Sequence, residues 1–183
     1  MAGSAANVRL FLIGPMGSGK STVGRHLSDL LDCPFIDSDA EIESRAGADI
    51  PWIFDVEGEA GFRRRETTVL KDLVEHPSAV IATGGGAILA AENREMMSRA
   101  GVVVFLKVSV AQQLKRTGSG EGRPLLQQGD REEILQQLMA EREPLYRALA
   151  DVIIAAGGGN ARTVARQIEA VLRERGLIPH HDE

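Results

Sequence analysis

The sequence predicts an α/β fold, a doubly wound parallel sheet with helices on both faces. Short apolar runs typical of buried strands alternate along the chain with segments whose apolar residues recur at helical spacing. A glycine-rich segment joins the first apolar run to the first helical one, as expected of a strand–turn–helix unit. The strand-like runs lie at 8–13, 35–36, 79–82, 102–106 and 152–154, and the helical patterns at 19–31, 39–46, 59–75, 92–99, 109–116, 130–149 and 160–175.

Length and composition limit the class of protein. A chain of 183 residues with 43% hydrophobic and 26% charged residues is typical of one compact domain, here 1–183. The net charge of −5 argues against nucleic acid as a partner, and no apolar run approaches the roughly 18 residues that a membrane span needs. The one cysteine, Cys33, fits a reducing compartment, and residues 1–7 lack the apolar core of a signal peptide. We expect a soluble, cytoplasmic monomer.

The first strand and helix enclose a phosphate-binding motif. Residues 14–21, GPMGSGKS, satisfy G-x-x-x-x-G-K-[ST], the P-loop. Its glycines let backbone N–H groups point at a phosphate, Lys20 adds a mobile positive charge, and the Ser21 hydroxyl can ligate magnesium. The alternative is a glycine-rich connector that binds nothing. The order of strand 8–13, turn and helix 19–31 favours phosphate binding.

The second strand ends in two carboxylates, Asp37 and Asp39. P-loop proteins usually hold magnesium partly through an aspartate at a strand end, so Asp37 is the candidate for the metal side. Asp39 could accept a proton from a substrate hydroxyl. In the structural alternative, Ser38 and Glu41 form a capping box for helix 39–46, and the two aspartates lie at its start without a catalytic role. The P-loop upstream favours the functional interpretation.

The insertion at 38–66 leads into a helix that carries a buried charge. Glu66 lies four residues after Phe62, on the apolar stripe of this helix. A carboxylate that faces a core needs a partner, and Arg63 is three residues away on the same helix. An oriented Arg63 suits bidentate binding of a carboxylate. A solvated charged face is the alternative; it suits Arg64 but not Glu66.

Two glycine-rich stretches follow. Gly84, Gly85 and Gly86 come directly after the third strand, where they allow the backbone to pass close under a ligand or simply make a tight turn. The segment 117–130 is rich in glycine and charge, and Arg123 could swing onto a transferring phosphate when a lid closes. Its alternative is an ordinary loop with a solvated arginine. We expect the tail at 177–183 to be disordered.

Helix 130–149 carries an inward-facing arginine. Arg142 falls on the apolar line of Leu138, Leu145 and Leu149, and Pro144 is expected to bend the helix beside it. An arginine that faces inward is costly without an anion. A structural ion pair with a core carboxylate is the alternative, but Arg63 requires the same kind of partner, which favours one shared ligand anion.

These motifs resemble the shikimate kinase family, of the P-loop, nucleoside-monophosphate-kinase-like class. The resemblance runs from the first strand to about residue 150, with its motifs in order and at compatible spacing. The matching segments are Gly-Pro-Met-Gly-Ser-Gly-Lys-Ser-Thr, Phe-Ile-Asp-Ser-Asp, Ile-Phe with Gly58-Glu59 and Phe62-Arg63-x-x-Glu66, Gly84-Gly85-Gly86, Arg116-Thr117, Arg123-Pro124-Leu125 and Arg142-x-Pro144-Leu145-Tyr146.

The resemblance implies a three-layer P-loop fold with a five-stranded parallel sheet, a substrate-binding subdomain at about 38–66 and a lid at about 118–130. It implies transfer of phosphate from ATP, with Mg2+, to the 3-hydroxyl of shikimate. ATP would be bound by Gly17, Ser18, Gly19, Lys20, Ser21, Thr22, Arg116 and Arg123; the metal by Ser21 and Asp37; shikimate by Asp39, Arg63, Gly85, Gly86 and Arg142. Asp39, Lys20 and Arg123 would carry the catalysis.

One segment departs from the family pattern. After the last strand the family often carries an arginine and a proline beside the adenine, where this chain has residues 155–161, AAGGGNA. Adenine contacts on that side are therefore expected from the backbone. Other readings are a gluconate kinase, a nucleoside monophosphate kinase and a nucleotide-dependent switch. The first would not require two inward arginines, and the absence of N-K-x-D disfavours a GTP switch.

Overall fold

The computed structural model describes residues 8–118, 126 and 129–179. Its strands are β1 (Arg9–Ile13), β2 (Phe35–Asp37), β3 (Ala79–Ala82), β4 (Val102–Lys107) and β5 (Val152–Ala155). Its helices are α1 (Lys20–Leu31), α2 (Ser38–Ala46), α3 (Ile50–Leu73), α4 (Ala91–Ala100), α5 (Val110–Thr117), α6 (Arg131–Leu149) and α7 (Ala161–Glu174), with a 3₁₀ turn at Ala87–Leu89. Except for α3, these bounds confirm the predicted ones to within one residue.

The five strands form one parallel sheet in the order β2-β3-β1-β4-β5, which confirms the predicted architecture. Alternate residues of the central strand β1 face opposite layers: Leu10 and Leu12 pack with α1 and α7, whereas Phe11 and Ile13 pack with α3 and α6. Because β1 is buried on both faces, its run of apolar side chains is continuous. The carboxyl ends of β1, β2 and β3 meet at one edge of the sheet, where parallel α/β proteins bind ligands.

Helix α3 differs from the prediction. A helix was expected at 59–75, but helical structure begins at Ile50 and is interrupted at Gly58, where φ is 70° and ψ is 176°. The Asp49 side chain accepts the N–H of Trp52, and Pro51 lies in the first turn, so the earlier start has ordinary helix-start signals. The break at Gly58 separates the arm at 50–57 from the helix that carries the charged cluster.

Replacing Gly58 with alanine should lower the free energy of unfolding by about 1 kcal/mol, because side chains disfavour a positive φ. A Cβ at Gly58 would meet no atom within 4 Å, so the cost comes from the backbone alone. Gly158→Ala is the matched control, since it also enters open space but does not have a positive φ. Urea denaturation measures both variants, and equal stabilities would contradict the explanation.

Several predicted features fall at or beyond the described residues. Of the segment 118–130, only residues 118, 126, 129 and 130 are described, so the predicted lid and Arg123 lie largely outside. The predicted tail at 177–183 is wrong for its first residues. Leu177 N donates to Leu172 O at 2.9 Å and Ile178 is buried, because both apolar side chains close over α7. Among the described residues, no helix is both long and apolar enough to cross a bilayer.

Candidate active site

The P-loop lies between β1 and α1, as predicted. Gly19 precedes the first helical residue with φ 86°, a conformation that only glycine adopts without strain, and this lets the loop turn directly into the helix. Lys20 Nζ donates to Gly14 O at 2.8 Å and to Pro15 O at 2.9 Å. The lysine therefore lies along the loop, close to the N–H groups at the start of α1. This is an arrangement that favours an anion.

A cavity of about 510 Å³ opens from the P-loop. It extends from the Lys20 side, past the ends of β2 and β3, to the start of α7. Its wall contains the predicted phosphate-binding residues together with the carboxylates Asp37 and Asp39 and two of the three glycines, Gly84 and Gly85. The P-loop and these carboxylates thus share one cavity, an arrangement that suits a phosphotransfer site.

Asp37 connects the P-loop to α2. Its Oδ2 accepts the Ser21 hydroxyl at 2.5 Å, and its Oδ1 accepts the N–H groups of Asp39 at 3.0 Å and Ala40 at 3.2 Å. The N-cap of α2 is therefore Asp37, and the alternative capping box of Ser38 and Glu41 is wrong. Sequence spacing allowed both, but Asp37 is the residue at the strand end with extended backbone.

The pair Ser21 and Asp37 fits a magnesium ion. Both are hard oxygen donors, and magnesium in phosphotransfer sites takes one or two such protein ligands, with water and phosphate oxygens completing the shell. Among the described residues there is no cluster of three or more histidine, cysteine or acidic side chains able to hold a metal by itself. The described residues would thus supply two ligands, and water and phosphate oxygens would supply the others.

Asp39 is a carboxylate in an unfavourable electrostatic position. Burial raises its pKa to about 6, with smaller contributions from the negative charges of Glu66 and Asp37. The positive charges of Lys20 and Arg63 act in the opposite direction. Its Oδ1 is buried without a hydrogen-bond partner among the described residues. A carboxylate with a pKa near neutrality and an unfilled acceptor site suits a substrate hydroxyl.

The predicted pair of Arg63 and Glu66 is present. Arg63 Nη1 donates to Glu66 Oε1 at 2.9 Å, and Nη2 donates to Glu59 Oε1 at 3.2 Å. Glu66 is 2% exposed, and burial raises its pKa against the opposing effect of Arg63. Within the described part of the chain, Arg63 Nε and Glu66 Oε2 are buried with no hydrogen-bond partner. The pair orients the guanidinium but leaves donor and acceptor capacity unused.

Arg142 is buried as predicted, at 5% exposure, although its helix is rotated from the expected register. It lies on the face of Leu135, Met139 and Tyr146, whereas the predicted companions Leu138, Leu145 and Leu149 are only partly buried. The ion pairs among the described residues do not include Arg142, and its Nε has no hydrogen-bond partner there. The structural ion pair considered from the sequence is thus not found, which favours a ligand anion.

Residues Gly84–Gly86, called here the glycine turn, bring these groups together. A Cβ on Gly84 would lie 2.8 Å from both Asp39 Oδ1 and Glu66 Oε2, and one on Gly86 would collide with the Arg63 guanidinium. A Cβ on Gly85 would lie 3.7 Å from Arg142 Nη1. A side chain at Gly84 or Gly86 would displace these charged groups, because the backbone itself is packed against them, whereas a Cβ on Gly85 would make ordinary contacts. The turn therefore packs directly against the charged side chains of Asp39, Arg63, Glu66 and Arg142 and does more than connect β3 to the next element.

Arg116 lies at the far end of the cavity. Its Nη1 donates to Gly17 O at 3.1 Å and its Nη2 to Ala156 O at 3.0 Å, so it links the P-loop to the segment after β5. Gly159 and Ala161, from the segment that departs from the family pattern, line this end. Of the Gly157–Gly159 run, Gly159 lines the cavity, and it offers backbone instead of a polar side chain.

Sequence reasoning did not assign roles to two side chains at the glycine turn. Ser38 Oγ accepts the N–H of Gly84 at 3.2 Å, and Tyr146 Oη donates to Gly85 O at 2.5 Å. Ser38 was considered only as a helix cap, and Tyr146 only as part of a motif. Neither partner is near in sequence, so local spacing held no signal for these contacts.

Comparisons with known proteins point to one family. The family model described as shikimate kinase matches residues 16–173. A shikimate kinase from Halorhodospira halophila is 56% identical over 165 residues, covering 90% of this chain and 93% of that protein. A structure of shikimate kinase from Acinetobacter baumannii in complex with shikimate is 49% identical, with a TM-score of 0.91 over 93% of this chain and 95% of that one. A gluconokinase from Sinorhizobium meliloti, 16% identical with a TM-score of 0.58 over 92% of this chain and 93% of that one, shares the fold.

Proposed function

The chain belongs to the shikimate kinase family, and we propose how its residues divide the work of a kinase that phosphorylates shikimate with ATP. The observation that carries the proposal is a set of buried polar atoms around the glycine turn that have no hydrogen-bond partner in the described part of the chain. These atoms are Asp39 Oδ1, Arg63 Nε, Glu66 Oε2 and Arg142 Nε. A ligand with one carboxylate and several hydroxyls has the groups that this set lacks.

The P-loop end of the cavity binds ATP. Backbone N–H groups and the side chains of Lys20 and Ser21 hold the phosphates, with Gly17, Ser18, Gly19 and Thr22 completing the loop. Arg116 faces the adenine end, and Arg123 adds positive charge near the transferred group. Ser21 and Asp37 hold magnesium, which neutralises phosphate charge when it is bound.

The glycine-turn end of the cavity binds shikimate. Arg63 and Arg142 bind the carboxylate from two helices, and Glu66 fixes the orientation of Arg63 through the 2.9 Å bond. Asp39 receives the hydroxyls, and the backbone of Gly85 and Gly86 lies under the ring. Arg63 and Arg142 lie here beside the carboxylates of Glu66, Glu59 and Asp39, so a carboxylic acid is attracted by the two guanidinium groups themselves and not by a net positive charge of the site or of the whole chain.

Catalysis in this arrangement is mostly positioning. The hydroxyl to be phosphorylated is held between Asp39 and the P-loop, in line with the γ-phosphate. With a pKa of about 6, Asp39 is largely ionised at neutral pH and can take the hydroxyl proton as the new bond forms. Lys20 balances the negative charge that develops on the phosphoryl oxygens.

ADP release with magnesium and ATP, measured with and without shikimate, tests the proposal. Turnover should depend on shikimate and should be lost in Lys20→Ala, because the P-loop then lacks its mobile charge. Gluconate and nucleoside monophosphates serve as competing acceptors. ADP release that does not depend on shikimate, or that is faster with one of the competing acceptors, would refute the substrate assignment and leave the P-loop assignment intact.

We also propose that the enzyme acts as a cytoplasmic monomer. Light scattering of the purified chain measures its mass, and a dimer would contradict the monomeric state.

We further propose that residues 38–66 form the substrate-binding subdomain and that residues 118–130 form a lid. Hydrogen exchange at 118–130 should slow when both substrates bind, since a closed lid protects its amides. Unchanged exchange would contradict the lid.

A further inference from the structure

The glycine turn is tied to two other elements of the site. Ser38 Oγ accepts the N–H of Gly84, and Tyr146 Oη donates to the carbonyl of Gly85. Ser38 immediately precedes Asp39 on α2, and Tyr146 lies one helical turn after Arg142 on α6. Each hydrogen bond therefore joins the turn to an element that carries a proposed substrate-binding residue.

Tyr146 is held in place independently of its hydroxyl. Its side chain is fully buried, and its ring stacks on Phe105 with centroids 4.9 Å apart and an interplanar angle of 24°. Burial raises the pKa of Tyr146 to about 12, so the hydroxyl keeps its proton at every working pH. The hydroxyl is thus a permanent donor to Gly85 O, and it plays no part in proton transfer.

Gly85 lies between the two halves of the site. A Cβ on Gly85 would be 3.5 Å from Gly14 O and from Met16 N in the P-loop, and 3.7 Å from Arg142 Nη1. This residue therefore lies close to both the phosphate-binding loop and the acid-binding arginine, and a shift of its backbone would change its contacts with both. Its carbonyl is fixed by Tyr146 at 2.5 Å.

We propose that Tyr146 is a positioning residue for the acceptor substrate. Its hydroxyl fixes the glycine turn in the position in which Arg142 can bind shikimate while the P-loop binds ATP. This inference rests on the proposed function. Tyr146 touches neither substrate; it acts through Gly85, and its hydroxyl also interacts with the Arg142 side chain.

Tyr146→Phe tests the proposal, because phenylalanine keeps the stacked ring and removes only the hydroxyl. The expected result is a rise of about five- to tenfold in the KM for shikimate, the effect of losing one buried hydrogen bond. The KM for ATP should stay within about twofold, because the P-loop has its own hydrogen bonds. The increase should be the same at pH 7 and pH 9, since the Tyr146 hydroxyl does not titrate there.

Ser28→Ala is the matched control. Ser28 is buried and donates its hydroxyl to Arg25 O within α1, away from the cavity wall. It should change stability but leave both KM values unchanged. Ser38→Ala removes the other tie and should also raise the KM for shikimate; it keeps the proposal testable if Tyr146→Phe fails to fold.

The outcomes separate cleanly. An unchanged KM for shikimate in folded Tyr146→Phe would overturn the proposal, and so would parallel increases for ATP and shikimate, which indicate a general structural role. If Tyr146→Phe does not fold, an unchanged KM for shikimate in Ser38→Ala would overturn it. Wild-type turnover is measured first: if it does not depend on shikimate, the proposed function fails, and this failure is distinct from that of the positioning role.

Discussion

Replacing Asp39 with asparagine should lower kcat by about a hundredfold or more while ATP still binds. The amide keeps the shape and hydrogen-bonding capacity of the carboxylate but cannot take the hydroxyl proton. ADP release at saturating shikimate measures the loss, and nucleotide titration measures ATP binding. Asp55→Asn, an exposed position in the arm at 50–57, is the matched control and should be near wild type. Near-normal kcat in Asp39→Asn would contradict the base role.

The same carboxylate predicts a pH dependence with a defined sign. Because its pKa is about 6, kcat/KM for shikimate should fall as pH decreases through 6, by about tenfold per pH unit below it. A profile that stays flat down to pH 5 would contradict the assignment.

Stability should change in the opposite direction. The pKa of Asp39 rises from 3.8 to about 6 on folding, so its protonation stabilises the fold below about pH 4, and that stabilisation is lost as pH rises through 6. Asp39→Asn removes the buried charge and should therefore be more stable than wild type at pH 7. Urea denaturation at pH 7 and pH 5 measures this, with the difference between the two proteins smaller at pH 5. A variant that is less stable at pH 7 would contradict the electrostatic account of this residue.

Arg142→Ala should raise the KM for shikimate by about a hundredfold, because a buried, charge-assisted contact to the carboxylate is lost. The KM for ATP should change little. The free energy of unfolding should change little, because removing a buried guanidinium that has no ion pair among the described residues is offset by losing its favourable interaction with Glu66. Steady-state kinetics with each substrate varied in turn measures the effect.

Arg147→Ala is the matched control on the same helix. Arg147 is exposed and pairs with Glu143 at 2.7 Å, so its loss should leave both KM values unchanged. Arg142→Lys keeps the charge but not the planar fork, and should recover only part of the affinity for shikimate. If Arg142→Ala weakened the binding of ATP and left the binding of shikimate unchanged, the proposal that Arg142 contacts the carboxylate would be contradicted.

The sequence predicted those parts of the site that depend on local spacing. The P-loop is contiguous, and Arg63 and Glu66 are three residues apart on one helix, so both could be recognised without knowing the fold. Burial of Arg142 followed from its apolar neighbours, although the wrong neighbours were chosen, because Leu138 and Met139 lie on adjoining faces and both fit an apolar line.

The contacts that the sequence could not predict are those made by packing. Tyr146 and Gly85 are 61 residues apart, and their hydrogen bond depends on where α6 crosses the end of β3. The arm at 50–57 was missed for another reason: the predicted helix began at residue 59, directly after Gly58, and the helix-start signals at Asp49 and Pro51 were not used. The capping choice at α2 was open because Asp37 and Ser38 are adjacent and both are good caps.

We propose that Arg63 and Arg142 bind one carboxylate above the glycine turn, and calorimetric titration of the wild-type enzyme measures this directly. Shikimate is compared with its methyl ester, which keeps the ring and hydroxyls but carries no negative charge. The ester should bind at least about a hundredfold more weakly, because two buried guanidinium groups lose their anion. Equal affinities for the acid and the ester would contradict it.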